Sequence, residues 1–362
     1  RGDPERARHR PPQQIPVVTQ VAVDVQVVEV RRERGQRQSQ GAAVAQDKPV
    51  ELRFAHWLPA SHPLAKLGFE PWAKSVEAAS KGSIKVMLFP AQQLGKAADH
   101  YDMARDGIAD LTWANPGYQA GRFPLFAAGE LPFLIAKPGP GSAALDQWYR
   151  AYAAKEMKDV KFCLAHLHVG TLHSKKPIDS PEQLKGMKIR SSNGTASQYM
   201  SALGATNVQV SAPESRDALE KGVADAIMFP WHSIITFGID KAVKYHTDTR
   251  MYSSDFAWTM NPGFYNKLSA GQKKVIDDHC TNEWAGKIGA AWGDDEDSGR
   301  EKMIKMGGHT MVPVSPAQLA AWQKSAEPVY TQWAADVTKA GTDAKKALDD
   351  LRKELATRKG GH

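Results

Sequence analysis

Twice along this chain, short apolar runs of strand length alternate with amphipathic stretches of helical period, and that rhythm restricts the fold more than any other feature. The first block reads as a strand at Val50–His56, a helix at Pro63–Ser80 and a strand at Ile84–Phe89. A helix at Ala97–Asp106 and a short buried strand at Asp110–Trp113 follow. An irregular loop, Pro124–Phe133, leads to a helix at Ala143–Met157 and a strand at Val160–Ala165. The second block opens near Gly170. Ser180-Pro181 starts a helical turn, with proline in the first turn where its missing N–H costs nothing. Strands at Met187–Arg190, Val208–Val210 and Ala226–Met228 alternate with helices at Thr195–Leu203 and Pro213–Lys221. Strand–helix alternation of this kind predicts α/β blocks with parallel strands. Two such blocks predict two lobes with a cleft between them, and ligands in such sheets sit at the carboxyl ends of strands.

The remainder supplies a strand at Phe256–Met260, helices at Ala270–Gly286 and Ala290–Met306, and a strand at Met311–Pro313. Helices at Pro316–Ala340 and Asp343–Arg358 close the chain. A length of 362 residues suits two lobes of ordinary size. No apolar run approaches the ~18 residues of a membrane-spanning helix.

Residues 1–45 differ in composition from the rest of the chain: eight Arg, no Lys, and many Gln and Val. Their longest apolar stretch, Ile15–Val30, is interrupted by Gln20, Asp24, Gln26 and Glu29, unlike the core of a secretory signal. Ala43-Val44-Ala45 nevertheless forms a small-x-small cleavage pattern before Gln46. We therefore expect residues 1–45 to be a leader or a disordered extension outside the fold. The net charge is +7, with +3 of it in these 45 residues, and the basic residues form no stripe; nucleic-acid binding is not expected. Cys163 and Cys280 form either one disulfide or two buried thiols; their spacing does not decide.

Signatures of catalysis are missing. There is no Gly-x-Ser-x-Gly elbow, no His-Glu-x-x-His and no phosphate loop. His166, His168 and His173 cluster in sequence, but no further ligand completes a metal site, so structural strand histidines are the simpler reading. Asp294–Asp297 is an acidic run within a helical pattern and reads as a solvated face. Neither a catalytic residue, a metal nor a cofactor is expected.

Several motifs fall in order between Ser174 and Pro230: Lys175-Lys176-Pro177-Ile178, Leu184-Lys185-Gly186-Met187-Lys188-Ile189-Arg190, Ala202-Leu203-Gly204-Ala205, and Ala218-Leu219-Glu220-Lys221-Gly222-Val223-Ala224-Asp225-Ala226. Phe89-Pro90-Ala91-Gln92-Gln93-Leu94-Gly95, Met103 to Asp110, and Phe123-Pro124-Leu125 to Leu131-Pro132-Phe133 precede them. This series resembles the solute-binding proteins of tripartite ATP-independent periplasmic (TRAP) transporters, the dicarboxylate-binding-protein family. The likeness spans about Pro49 to Leu351.

That resemblance implies a two-lobed α/β periplasmic binding protein fold, with strands crossing the hinge and a long helix, Ala290–Met306, spanning both lobes. It divides the chain into lobe I, residues 46–170 plus 257–305, and lobe II, residues 171–256 plus 306–362. It also implies a periplasmic monomer that binds a small carboxylate for uptake driven by an ion gradient, with a small and a large integral-membrane subunit as partners. The other function weighed is a sensor subunit that presents its ligand to a signalling receptor.

In the family a strand-end arginine clamps the ligand carboxylate, and Arg190 is its match. A guanidinium fork grips a carboxylate through two parallel hydrogen bonds. Asn193 either supports that carboxylate or caps the following helix. Asn115, after the third strand, offers an amide from the first lobe or a plain turn. Where longer acids meet a second arginine in the family, this chain has Gly170-Thr171-Leu172-His173, leaving Thr171 or His173 as hydrogen-bonding candidates. Trp57, Trp113, Tyr118, Phe229, Trp231 and Phe256 stand near strand ends. One cation in an aromatic box predicts a monocarboxylate: a branched 2-oxo or 2-hydroxy acid, or an aromatic acid.

Overall fold

Ten strands make one mixed sheet in the computed structural model, which describes residues 47–362. The leader reading of residues 1–45 lies outside these residues. The strands are β1 (Val50–Ala55), β2 (Ile84–Phe89), β3 (Leu111–Ala114), β4 (Lys161–Ser174), β5 (Lys188–Arg190), β6 (Thr206–Val208), β7 (Ala226–Phe229), β8 (Tyr245–Asp248), β9 (Tyr252–Met260) and β10 (Thr310–Pro313). They follow the order β2-β1-β3-β9-β4-β7-β5-β6, with β8 on β4 and β10 on β8.

Strands β1, β2 and β3 pair in parallel, as do β5, β6 and β7. These are the two expected α/β blocks. They are joined by β9 and β4, which run antiparallel to each other and to the blocks they meet. The sheet is therefore parallel at its two ends and antiparallel in the middle.

The joining strands are longer than the sequence pattern suggests. β4 continues without a break through Gly170, where a second block was expected to begin. Its residues from Cys163 onward are all buried, so no polar alternation marks its extent, and its histidines mimic solvent-facing positions. Gly170 is required inside it: a Cβ there would stand 2.5 Å from Tyr252 Oη and 2.7 Å from the Phe229 carbonyl. β9 likewise begins four residues before Phe256 and is buried throughout.

The helices correct three further expectations. The helix expected at Ala270–Gly286 ends at His279, and a new helix, Asn282–Met306, starts eight residues before Ala290. Thr281 caps it by accepting the Trp284 N–H. The stretch Pro316–Ala340 divides into Pro316–Ser325 and Glu327–Lys339, because Pro328 cannot continue a helix but fits a new first turn. The helix Trp231–Thr236 and strand β8 were not anticipated.

Helix Asn282–Met306 packs on helix Pro138–Tyr149, on β4 and on helix Trp231–Thr236. Cys163 in β4 is disulfide-bonded to Cys280 at the break before this helix. Arg150 braces the same place, donating to the Cys163 and Cys280 carbonyls at 3.0 Å each while paired with the buried Asp146. Among the described residues, no helix is long and apolar enough to cross a membrane.

Candidate ligand-binding cleft

Strand ends from both parallel blocks converge on one cleft. Trp57 and Leu58 follow β1, Asn115 follows β3, Arg190 ends β5 and Phe229 ends β7. Tyr252, Ser254 and Phe256 reach the cleft from one face of β9, as the two-residue strand period requires.

Arg190 is only 1 % exposed, yet no acid among the described residues pairs with its guanidinium. Nε donates to the Val210 carbonyl (3.1 Å), Nη1 to the Met228 carbonyl (3.2 Å) and Nη2 to the Tyr118 hydroxyl (3.4 Å). The side chain lies over the Phe229 ring at 5.5 Å. Backbone carbonyls thus hold the fork in place without cancelling its charge, and two of its five N–H groups remain for a ligand. Tyr118 Oη accepts from Arg190 and from the Ala212 N–H (3.0 Å), so its own proton is free to donate.

The aromatic wall is layered. Trp57 and Phe256 line the cleft, and Trp113 stacks behind both, at 4.5 and 4.3 Å. Trp113 is fixed there by donating to His166 Nε2 at 2.8 Å.

Helix Asn282–Met306 contributes Trp292, whose ring packs against Phe256 at 5.3 Å, and helix Trp231–Thr236 contributes Ser233. Both are positioned by Glu296, which departs from the solvated-face reading of Asp294–Asp297. It is 3 % exposed and accepts from Trp292 Nε1 (2.8 Å), His232 N–H (2.6 Å), Ser233 N–H (2.9 Å) and the Ser233 hydroxyl. This approach requires glycine at 299, where a Cβ would meet the His232 nitrogen at 2.3 Å. His62 Nδ1 accepts from the Leu64 N–H, so Nε2 carries the proton and donates to Ser233 Oγ at 3.0 Å. Burial brings His62 and His168 down to about 3, so both rings are neutral at ordinary pH.

Of the residues expected in the site, Arg190, Asn115, Trp57, Tyr118, Phe229 and Phe256 line the cleft. Others lie elsewhere. Asn193 caps helix Gly194–Ala202, its Oδ1 accepting the Ala196 N–H at 2.8 Å, and its Nδ2 donates to Ser253 O and Ser254 Oγ. Thr171 donates to the Thr247 carbonyl. His173 faces His246 and the Phe229 carbonyl, and Trp231 packs edge-on against His173. The continuous β4 carries Thr171 and His173 away toward β8. The residues not anticipated are Leu58, His62, His168, Ser192, Ala212, Pro230, Ser233, Phe237, Tyr252, Ser254 and Trp292. Running the alternation of Phe256 backward gives Ser254 and Tyr252, the one signal that was available.

Residues 54–336 match the family model described as bacterial extracellular solute-binding protein, family 7 (DctP). The chain belongs to this family. Solved structures of TRAP solute-binding proteins share the fold of this family 7 protein. One, from Rhodoferax ferrireducens T118 with copurified benzoate, has TM-score 0.82 and 27 % identity, covering 86 % of this chain and 98 % of that one. A marine metagenome protein specific for aromatic acid ligands, crystallised with 3-hydroxybenzoate, has TM-score 0.81 and 32 % identity, covering 86 % and 99 %. A Bordetella bronchiseptica protein with bound (R)- and (S)-mandelate has TM-score 0.80 and 28 % identity, covering 85 % and 99 %. The family 7 chain is therefore a periplasmic solute-binding protein with the two-lobed α/β fold of TRAP receptors.

Proposed function

We propose that this family 7 protein captures an aromatic monocarboxylate, leaves it chemically unchanged, and delivers it to the small and large integral-membrane subunits of a TRAP transporter. The carrying observation is Arg190: a buried, acid-free guanidinium that is the one Lys or Arg among the described cleft-lining residues. A second carboxylate would enter this cleft unpaired, at a cost of several kcal/mol. Trp57, Phe229 and Phe256 suit a flat ring. Similar proteins described with benzoate, 3-hydroxybenzoate and mandelate support the same ligand class.

The lobe boundaries at 170/171 and 256/257 fall inside β4 and β9, which makes these two strands the hinge in this reading. The protein then acts as a monomer that closes over its ligand.

Thermal unfolding with benzoate and with succinate tests the reading. Benzoate at 100 times its dissociation constant adds ~2.7 kcal/mol of stability. Arg190→Ala removes that gain while the unliganded protein still folds. Tighter binding of succinate than of benzoate, or full benzoate binding by Arg190→Ala, would overturn it.

A further inference from the structure

Five buried polar atoms on cleft-lining side chains have no hydrogen-bond partner among the described residues: Trp57 Nε1, Asn115 Oδ1, His168 Nδ1, Ser192 Oγ and Tyr252 Oη. Buried polar atoms are nearly always paired, so a concentration of unpaired ones in a single cleft marks groups kept for something that enters it. Their chemistry restricts that visitor. A carboxylate only accepts hydrogen bonds. The indole N–H of Trp57 and the hydroxyls of Ser192 and Tyr252 can all donate to it, alongside Arg190 and Tyr118.

Asn115 cannot be satisfied in that way. Its side-chain amide makes no hydrogen bond within the described residues, and Oδ1 is an acceptor. In whichever orientation the amide sits, it presents one acceptor that a carboxylate leaves empty. A ligand that brings no donor to this oxygen leaves it unpaired.

We propose that the ligand carries a hydrogen-bond donor besides its carboxylate, a hydroxyl on or beside its ring, and that Asn115 selects for it. This inference rests on the reading of the cleft as an aryl-acid site. The hydroxyl donates to Asn115 Oδ1, and its own oxygen can accept from a donor such as Trp57 Nε1. Arg190 thus reads the acid, the rings read the arene, and Asn115 separates hydroxylated acids from plain ones.

Calorimetric titration of two matched pairs tests this: 3-hydroxybenzoate against benzoate for a ring hydroxyl, and mandelate against phenylacetate for one beside the ring. In at least one pair the hydroxylated acid binds about tenfold or more tightly, the penalty expected when a site built for a hydroxyl meets the analogue lacking it. In Asn115→Ala that ratio falls to within about twofold of one. Asn115→Leu, closer in size, repeats the measurement if alanine unsettles the fold. Equal affinities within both pairs in the unaltered protein, or a preference that survives in both variants, would overturn the inference while leaving the aryl-acid reading intact. Failure of all four acids to bind would overturn both.

Discussion

Glu296 stands in an acidic run, and its position in the helix explains why it is not solvated. Trp292, Glu296, Gly299 and Met303 fall at helical spacing along the buried stripe, whereas Asp294 and Asp297 point outward. Burial raises its pKa, and the hydrogen bonds from Ser233, Trp292 and His232 act against that rise. Removing the carboxylate orphans several buried donors at once. Glu296→Ala is expected to cost about 3 kcal/mol in urea unfolding and to weaken acid binding, because Ser233 and Trp292 lose their anchor. A loss below about 1 kcal/mol would contradict that role. The contrast with Arg190 is instructive. Arg190 was legible because a short strand ends on it inside a recognisable motif. Glu296 was hidden by its acidic neighbours, although the period that buries it was present. Thr171 and His173 were misplaced for another reason, since their direction depends on how far β4 runs.

Element lengths in the middle of the sheet were the least legible part of the fold. β1 and β2 mix exposed or half-buried residues with buried ones, β3 is only four residues long, and their limits agree with the sequence pattern to within two residues. β4 and β9 are buried on both faces, and a strand with no solvent face carries no alternation to count. The disulfide was undecidable for a related reason: Cys163 and Cys280 are 117 positions apart, and only the packing of β4 on the following helices brings them together. It closes a long loop, so its removal should matter. Replacing Cys163 and Cys280 together by alanine is expected to cost about 3 kcal/mol. Arg150 still bridges the two carbonyls in that variant, so the fold survives, and adding Arg150→Ala lowers stability further. Urea midpoints of the three proteins measure both steps. A double variant as stable as the parent would show that packing and Arg150 alone fix the junction.

Across the whole molecule, buried titratable groups pull stability in opposite directions with pH. Burial takes His56, His62, His166, His168 and His246 down to about 3 and His100 to about 4, from an ordinary 6.5. Below pH 6.5 the unfolded chain takes up protons that these rings refuse, so stability falls on acidification. Glu130 and Asp255 act oppositely. They meet between the turn Phe126–Glu130, β9 and the start of helix Gly194–Ala202, where the two parallel blocks adjoin. Glu130 is 1 % exposed and accepts from Thr195 Oγ1 at 2.9 Å; Asp255 is fully buried, with neither oxygen paired among the described residues. Burial raises Glu130 to about 8, while burial and then the neighbouring Glu130 charge raise Asp255 well above the carboxylate range. The folded protein therefore holds protons here that the unfolded chain has released above pH ~4, and stability falls as pH rises toward 8. The two groups together predict a thermal midpoint that peaks near pH 6.5 and declines on both sides. Asp255→Asn keeps a neutral, similarly shaped side chain and removes one proton-binding group. It should raise the midpoint at pH 8 by about 2 °C or more, flatten the alkaline decline and steepen the acid decline, because Asp255 opposes the histidines wherever the pH exceeds ~4. Scanning calorimetry from pH 4.5 to 9 reads all three effects. An alkaline limb of equal slope in the variant would mean that the pair is already satisfied in the folded protein.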